Sequence, residues 1–256
     1  MDVATLRKLA LGASMALGLA IFASASHAVV KTPAMPQDEM QAADTDPLEP
    51  INRGIFWFNN MFDKVVLKPV TQAYRFVVPE KGRTMVDNAI TNLYTPVVFA
   101  NSVLQADPQN SFATLWRFVL NSTVGIGGVF DVASEAGLHN RPADLGETFA
   151  FYGAGTGPYV VLPVIGPSNL RDAIGRLGDA FMTPTNYAGP WIEYGVWGAT
   201  AVNERSKNMQ LIDDIFASSL DPYSTFRSGY TQKRVSDIRR AKTSRDKALA
   251  NACKAK

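Results

Sequence analysis

Side chains able to act as nucleophiles, bases or metal ligands are few. The chain has two histidines, His27 and His139, and one cysteine, Cys253. Dedicated zinc sites draw on several such ligands, so no metal centre is expected. Cys253 lies in a basic segment that lowers a thiol pKa, but no base stands near it in sequence, and it reads as a bystander. Asp144 and Glu147 flank Gly146, and such a carboxylate pair supports acid–base hydrolysis only where both line a cleft with shifted pKa values. A helix-capping role for Asp144 is the simpler account. GxSxG, HExxH and P-loop patterns are missing. Gly153, Gly155 and Gly157 lead into Pro158 and an apolar run, not into a helix start that would cradle phosphate. No cofactor is expected, and an exported hydrolase is the weakest reading.

What the chain does offer is a long stretch, Asn121 to Arg171, too apolar for a surface loop and too rich in glycine and proline for one regular element. Gly125, Gly127 and Gly128 alternate with Val124, Ile126, Val129 and Phe130, so the backbone can turn sharply while large side chains point outward. Further on, Tyr159 to Ile165 is apolar and is stopped by Gly166 and Pro167. Its physical reading is an apolar wall with hinges, which a framework must hold.

Three motifs give that framework a likeness: NxTxGxGGxxD from Asn121 to Asp131, GPYxxLPxxGPSxxRD from Gly157 to Asp172, and DPLEPxNRxxFxFN from Asp46 to Asn59. Together, over about residues 46 to 234, they resemble the MlaA (VacJ) family of outer-membrane lipid-trafficking proteins. The resemblance implies an all-α fold: a ring- or disc-like bundle of amphipathic helices around a channel, with a Gly/Pro-rich apolar segment lining it and a basic C-terminal helix. It also implies removal of misplaced phospholipids from the outer leaflet of the outer membrane, without catalysis, and hand-over to an MlaC-like periplasmic carrier. A trimeric porin is the expected membrane partner, and nucleic acid is excluded by export. The lipid path is assigned to Val124, Gly125, Ile126, Gly127, Gly128, Val129 and Phe130 on the flexible wall, and to Asn52, Phe56, Asn59 and Asp63 on its helical side. Arg171 and Asp172 are expected to orient a headgroup or to form a structural ion pair or cap. The alternative function is an envelope adaptor that docks a membrane partner without moving lipid.

Composition and order along the chain agree with export. Arg7 and Lys8 precede the apolar run Leu9 to Phe22, and Ser26-His27-Ala28 offers small residues to a signal peptidase, so residues 1–28 read as a cleaved signal and 29–45 as a flexible leader. Family members are lipoproteins acylated on a cysteine at the cleavage point; the only cysteine here is Cys253, which counts against that anchor. The helical lipid-transport domain is expected over 46–226 and a basic helix or tail over 227–256. That tail holds ten Lys or Arg against two Asp, whereas 29–226 holds thirteen basic against twenty acidic residues. A basic tail suits anionic headgroups or an acidic partner. The 46% hydrophobic content against 19% charged residues is high for a water-soluble chain, so part of the surface is expected to face lipid.

Helices follow from 3.6-residue spacing. Leu48, Ile51, Ile55, Phe58, Phe62, Val65 and Val66 share one arc, with Asn52, Asn59 and Asp63 on another beside Phe56. Met85, Val86, Ala89, Ile90 and Leu93 mark a second helix. Phe112, Leu115, Trp116, Val119 and Leu120 mark a third, with Arg117 opposite, and Leu170, Ala173, Ile174, Leu177 and Phe181 a fourth, capped by Ser168. Asp46-Pro47, Asp107-Pro108 and Asp221-Pro222 each signal a helix start. Pro69, Pro79 and Pro96 are expected to break the intervening helices. Tyr159 to Ile165 is the only candidate strand, interrupted by Pro163.

Overall fold

The computed structural model describes residues 46–139 and 141–254; the expected signal peptide and leader lie outside the described residues. Helix α1 (Glu49–Phe62) runs through a π-helical turn, Asp63–Leu67, into α2 (Lys68–Val77). Helices α3 (Glu80–Leu104) and α4 (Pro108–Thr123) pack side by side across a short connection, and the single turn α5 (Val132–Glu135) precedes α6 (Leu145–Phe151). Strands β1 (Tyr159–Leu162) and β2 (Gly166–Asn169) form an antiparallel hairpin. The chain then continues through α7 (Leu170–Met182), a 3-10 turn at Pro184–Tyr187, α8 (Pro190–Lys207), α9 (Met209–Ser218) and α10 (Pro222–Lys254). The fold is all-α, with that hairpin as the one sheet among the described residues.

Two of the three Asp-Pro signals cap helices as expected: Asp107 accepts the Asn110 N–H at 3.0 Å and Asp221 the Tyr223 N–H at 3.1 Å. Asp46 instead accepts the Leu48 N–H at 3.1 Å in the turn before α1, which begins two residues later than Pro47 and has no side-chain cap. Two further expectations change. Helix α7 is capped by Asn169, which accepts the Asp172 N–H at 2.8 Å, because Asn169, the last residue of β2, directly precedes the first helical residue and Ser168 is one residue too early. Only Pro79 separates helices. Pro69 follows the π-helical turn, whose wider spacing accommodates a residue lacking an N–H, and Pro96 lies inside α3.

The hairpin forms because α1 completes its open edge. Asn52 donates to the Tyr159 carbonyl at 3.0 Å and accepts from the Val161 N–H at 2.9 Å. Asn59 repeats this at the tip, donating to the Leu162 carbonyl at 2.9 Å and accepting from the Val164 N–H at 2.7 Å. Seven residues of helix rise about 10.5 Å, and three residues of strand advance about 10 Å. The asparagine spacing on α1 therefore matches the spacing of the strand groups it serves. Beneath them Phe56 packs against Phe216, Tyr223 and Phe226 at centroid distances of 6.0, 5.6 and 5.6 Å.

Side chains are distributed the reverse of a water-soluble core. Among the described residues, nine hydrophobic side chains are buried against twenty-four polar or charged ones, so cohesion inside the molecule is mainly polar. Arg117, Arg171 and Arg205 are each only 5% exposed. The apolar arcs face outward: Ile51 and Phe58 on α1, Val65 on the π-helical turn, Leu115, Trp116 and Val119 on α4, and Ile174, Leu177 and Phe181 on α7 are all exposed. No helix among the described residues is long and apolar enough to cross a membrane.

Helix α10 is fastened through Arg234, whose Nη1 and Nη2 reach Asp144 at 2.7 and 2.6 Å and whose Nη2 reaches Asp172 at 3.1 Å. Asp172 also accepts from Arg171 at 3.0 Å and Tyr230 at 2.6 Å. Burial raises the Asp172 pKa, but Arg234, Arg171 and the hydrogen bond from Tyr230 together hold it below the usual carboxylate range. Glu147, 3.5 Å from Arg234, goes the other way: burial and then the Asp144 carboxylate push it up to about 8. Next to this cluster α6 crosses α7 at two glycines, where a Cβ on Gly175 would stand 2.4 Å from the Gly146 nitrogen.

Two outcomes follow. Gly175→Ala is expected to lower stability by about 1–3 kcal/mol through overpacking at the α6–α7 crossing, read by denaturant unfolding in detergent; an unchanged midpoint would rule out that close approach. The folded Glu147 carboxyl holds its proton up to about pH 8 against an ordinary 4.5, so its contribution is complete below the lower value and is lost as pH rises through the upper one. Glu147→Gln should flatten the decline in stability across that window, and an unaltered slope would assign the titration elsewhere.

Candidate functional site

The Gly-rich segment begins where α4 ends. The last carbonyls of the helix take its first N–H groups: Leu120 accepts from Gly125 at 3.0 Å, Asn121 from Gly128 at 2.7 Å and Ser122 from Gly127 at 3.1 Å. Phe130 then donates back to Gly125 at 3.0 Å, closing a compact turn. Ile126, Gly127 and Gly128 have φ of 52°, 70° and 93°, three consecutive left-handed residues. A β-branched residue is strained there, so the neighbours must hold the conformation at Ile126.

They do so from two sides. From α3, Asn92 donates to Ser122 Oγ at 2.9 Å and Asn88 to the Val129 carbonyl at 3.2 Å. Gly128 lies so close that a Cβ would stand 2.4 Å from Cβ of Asn92. On the other side, Arg117 grips Asp131 with two bonds of 2.9 and 3.0 Å, and Asn121 bridges Asp131 at 3.0 Å and the Ala133 N–H at 2.9 Å. Burial raises the Asp131 pKa, yet hydrogen bonds from Ser134, Asn121 and Arg117 hold it below the ordinary carboxylate value. On this polar mount Val124, Ile126 and Phe130 stay exposed, the first two by 63% and 68%. The result is an apolar lip whose backbone is fixed at both ends.

The residues selected from sequence fall into separate groups. Val124, Gly125, Ile126, Gly127, Gly128, Val129 and Phe130 form the turn held by α3 and α4. The α1 set faces the hairpin and the aromatic cluster, while Asp63 receives Arg205 at 2.7 Å, which also binds Asp213 at 2.7 Å. Arg171 and Asp172 are a buried pair within the Arg234 cluster. Asp144 caps α6 by accepting the Glu147 N–H at 2.8 Å and, with Glu147, belongs to that cluster. Among the described residues no group of three or more His, Cys, Asp or Glu could hold a metal ion. Asn88 and Asn92 were not singled out from sequence. Their signal was present as an i, i+4 amide pair on α3, and it becomes informative once polar side chains are known to fill the interior.

Comparison with known proteins fits this arrangement. A family model described as MlaA lipoprotein matches residues 44–237. The intermembrane phospholipid transport system lipoprotein MlaA of Escherichia coli K12 is 35% identical over 197 residues, covering 75% of this chain and 78% of that protein. Its Haemophilus influenzae counterpart is 35% identical over 196 residues, with coverage of 73% and 76%. A solved structure, from work on the structural basis for maintenance of bacterial outer membrane lipid asymmetry, superposes with a TM-score of 0.69 at 34% identity, covering 76% of this chain and 99% of that one. An interior built from polar side chains, an apolar exterior and the glycine turn on its polar mount thus coincide with the matched region, and the chain belongs to the MlaA lipoprotein family.

Proposed function

We propose that this chain removes mislocalised phospholipids from the outer leaflet of the Gram-negative outer membrane and passes them to a soluble periplasmic carrier of the MlaC type, beside a trimeric porin. The observation that carries this reading is the inversion of side chains. Apolar helix faces give up the hydrophobic contribution of burial unless something other than water covers them, and hydrocarbon is the cover that suits them while the polar pairs hold the interior together. Backbone at membrane depth must then be satisfied internally, as in helices and in irregular segments that line a cavity. The glycine turn meets this requirement with its own bonds to the end of α4.

In this account a phospholipid is sorted by geometry, and no bond is made or broken. The lip of Val124, Ile126 and Phe130 contacts acyl chains, with Gly125, Gly127, Gly128 and Val129 setting its curvature. Asn52, Phe56, Asn59 and Asp63 form the helical side of the path by keeping the hairpin and α8 in place. Arg171 and Asp172 support the polar interior through the Arg234 cluster.

Deletion of this chain is expected to raise outer-leaflet phospholipid, and complementation to reverse the rise; no change with the protein expressed would favour an adaptor that docks a partner without moving lipid. Gly127→Val tests the lip itself. A Cβ there meets nothing within 4 Å, so the main cost is backbone strain, about 1–2 kcal/mol. The variant should fold yet leave lipid on the cell surface, and normal surface lipid would remove the turn from the path.

A further inference from the structure

Beyond the Arg234 cluster, the second half of α10 runs past the first turn of α4. Between them lies an open groove of about 390 Å³ lined by Gln109, Arg239, Arg240, Thr243, Ser244 and Lys247. The α10 residues stand at spacings of one, four, five and eight from Arg239, which places them along one side of the helix. The opposite side is anchored: Ile238 and Ala241 are buried, and the Arg245 guanidinium sits 4.5 Å from the Phe151 ring centroid. The backbone that carries the cationic face is therefore in place before any ligand arrives, which spares the cost of ordering the helix on binding.

Charge in the groove is largely unanswered. Arg239 and Lys247 are exposed and make no ion pair with another described residue. Arg240 pairs with Asp237 one turn earlier but keeps 66% of its side chain exposed. At the mouth, Asp107 commits its two carboxylate oxygens to the Asn110 N–H, capping α4, and to Arg141, and no acidic side chain is among the groove's lining residues.

We propose that this groove binds the phosphate of an anionic phospholipid headgroup, with Arg239, Arg240 and Lys247 supplying charge and Gln109, Thr243 and Ser244 supplying neutral hydrogen-bond donors. Its volume is that of a small-ligand site, and its lining lacks the apolar aromatic centre that marks a protein–protein interface. Its level relative to the membrane follows from α4. Leu115 and Trp116 point outward six and seven residues beyond Gln109, which is about 9–10 Å along the axis. With those side chains just inside the hydrocarbon and α4 steeply inclined to the membrane plane, as headgroup binding here requires, the groove lies at headgroup depth, since each headgroup layer is about 5–8 Å thick. This assignment rests on the bilayer seating inferred above.

The test uses the full chain in flotation assays with phosphatidylcholine vesicles, with and without phosphatidylglycerol. Wild type should favour the anionic vesicles, and Arg239→Gln/Lys247→Gln should lose about 30-fold of that preference, at about 1 kcal/mol per basic residue near the surface. Lys233→Gln, exposed on the same helix outside the groove, should keep it. Equal binding to both vesicles, or an unaltered preference in the double variant, overturns the headgroup site and leaves the seating intact. Failure to bind either vesicle overturns the seating. The groove is then judged by calorimetry with dihexanoyl phosphatidylglycerol and the detergent-solubilised chain, where absence of heat overturns it and heat lost in the double variant sustains it. Inorganic phosphate binding as tightly as the short lipid would make this a free-phosphate site and refute the lipid assignment.

Discussion

A chain that turns its apolar side chains outward must draw its cohesion from polar pairs inside, and every buried charge must then find its partner. Removing one member of a buried ion pair typically costs about 3–5 kcal/mol, because the other is left unanswered out of water. Three arginines each join separate elements of the fold. Arg205 ties α8 to Asp63 at the start of the π-helical turn and to Asp213 on α9. Arg234 ties α10 to Asp144 at the head of α6 and to Asp172 on α7. Arg117 ties α4 to Asp131 and so fixes the far end of the glycine turn.

Amides do the finer positioning. Asn52 and Asn59 act as a third strand for the hairpin, while Asn88 and Asn92 hold the glycine turn. Asn101 donates to Asp179 at 2.9 Å and accepts from Thr148 at 2.9 Å, linking α3 to α6 and α7. An amide satisfies a donor and an acceptor together without adding charge, which suits an interior where an unmatched ion would be costly. The same chemistry recurs at the hairpin, the turn and the helix crossing.

Most helices, the starts at Asp107 and Asp221 and the glycine turn were legible because spacing and capping are local properties, although two other starts lay one to two residues from where they were expected. Which face points inward was not, since an amphipathic arc is the same arc in water or in lipid; Arg117 could be placed opposite Trp116 without knowing which of the two would be buried. The resemblance supplied that direction as an expectation. The strands were obscured because their outer edge is completed by side chains on α1, more than a hundred residues away. Pro69 and Pro96 misled for a similar reason: a proline disrupts a bond, but whether the helix ends there depends on what packs against it.

The π-helical turn changes how α1 and α2 act together. Asp63 and Lys68 stand five residues apart, and Lys68 donates its backbone N–H to the Asp63 carbonyl across the widened turn. Both side chains reach the same neighbouring region, Asp63 through Arg205 and Lys68 through Asp213 at 3.0 Å. The extra residue thus keeps the inner polar edge in phase from the end of α1 to the start of α2. Mechanically, residues 49–77 are one bent strap, not two rods on a hinge, so a load applied at the hairpin is carried by Asn52 and Asn59 along the strap to the foot of α8.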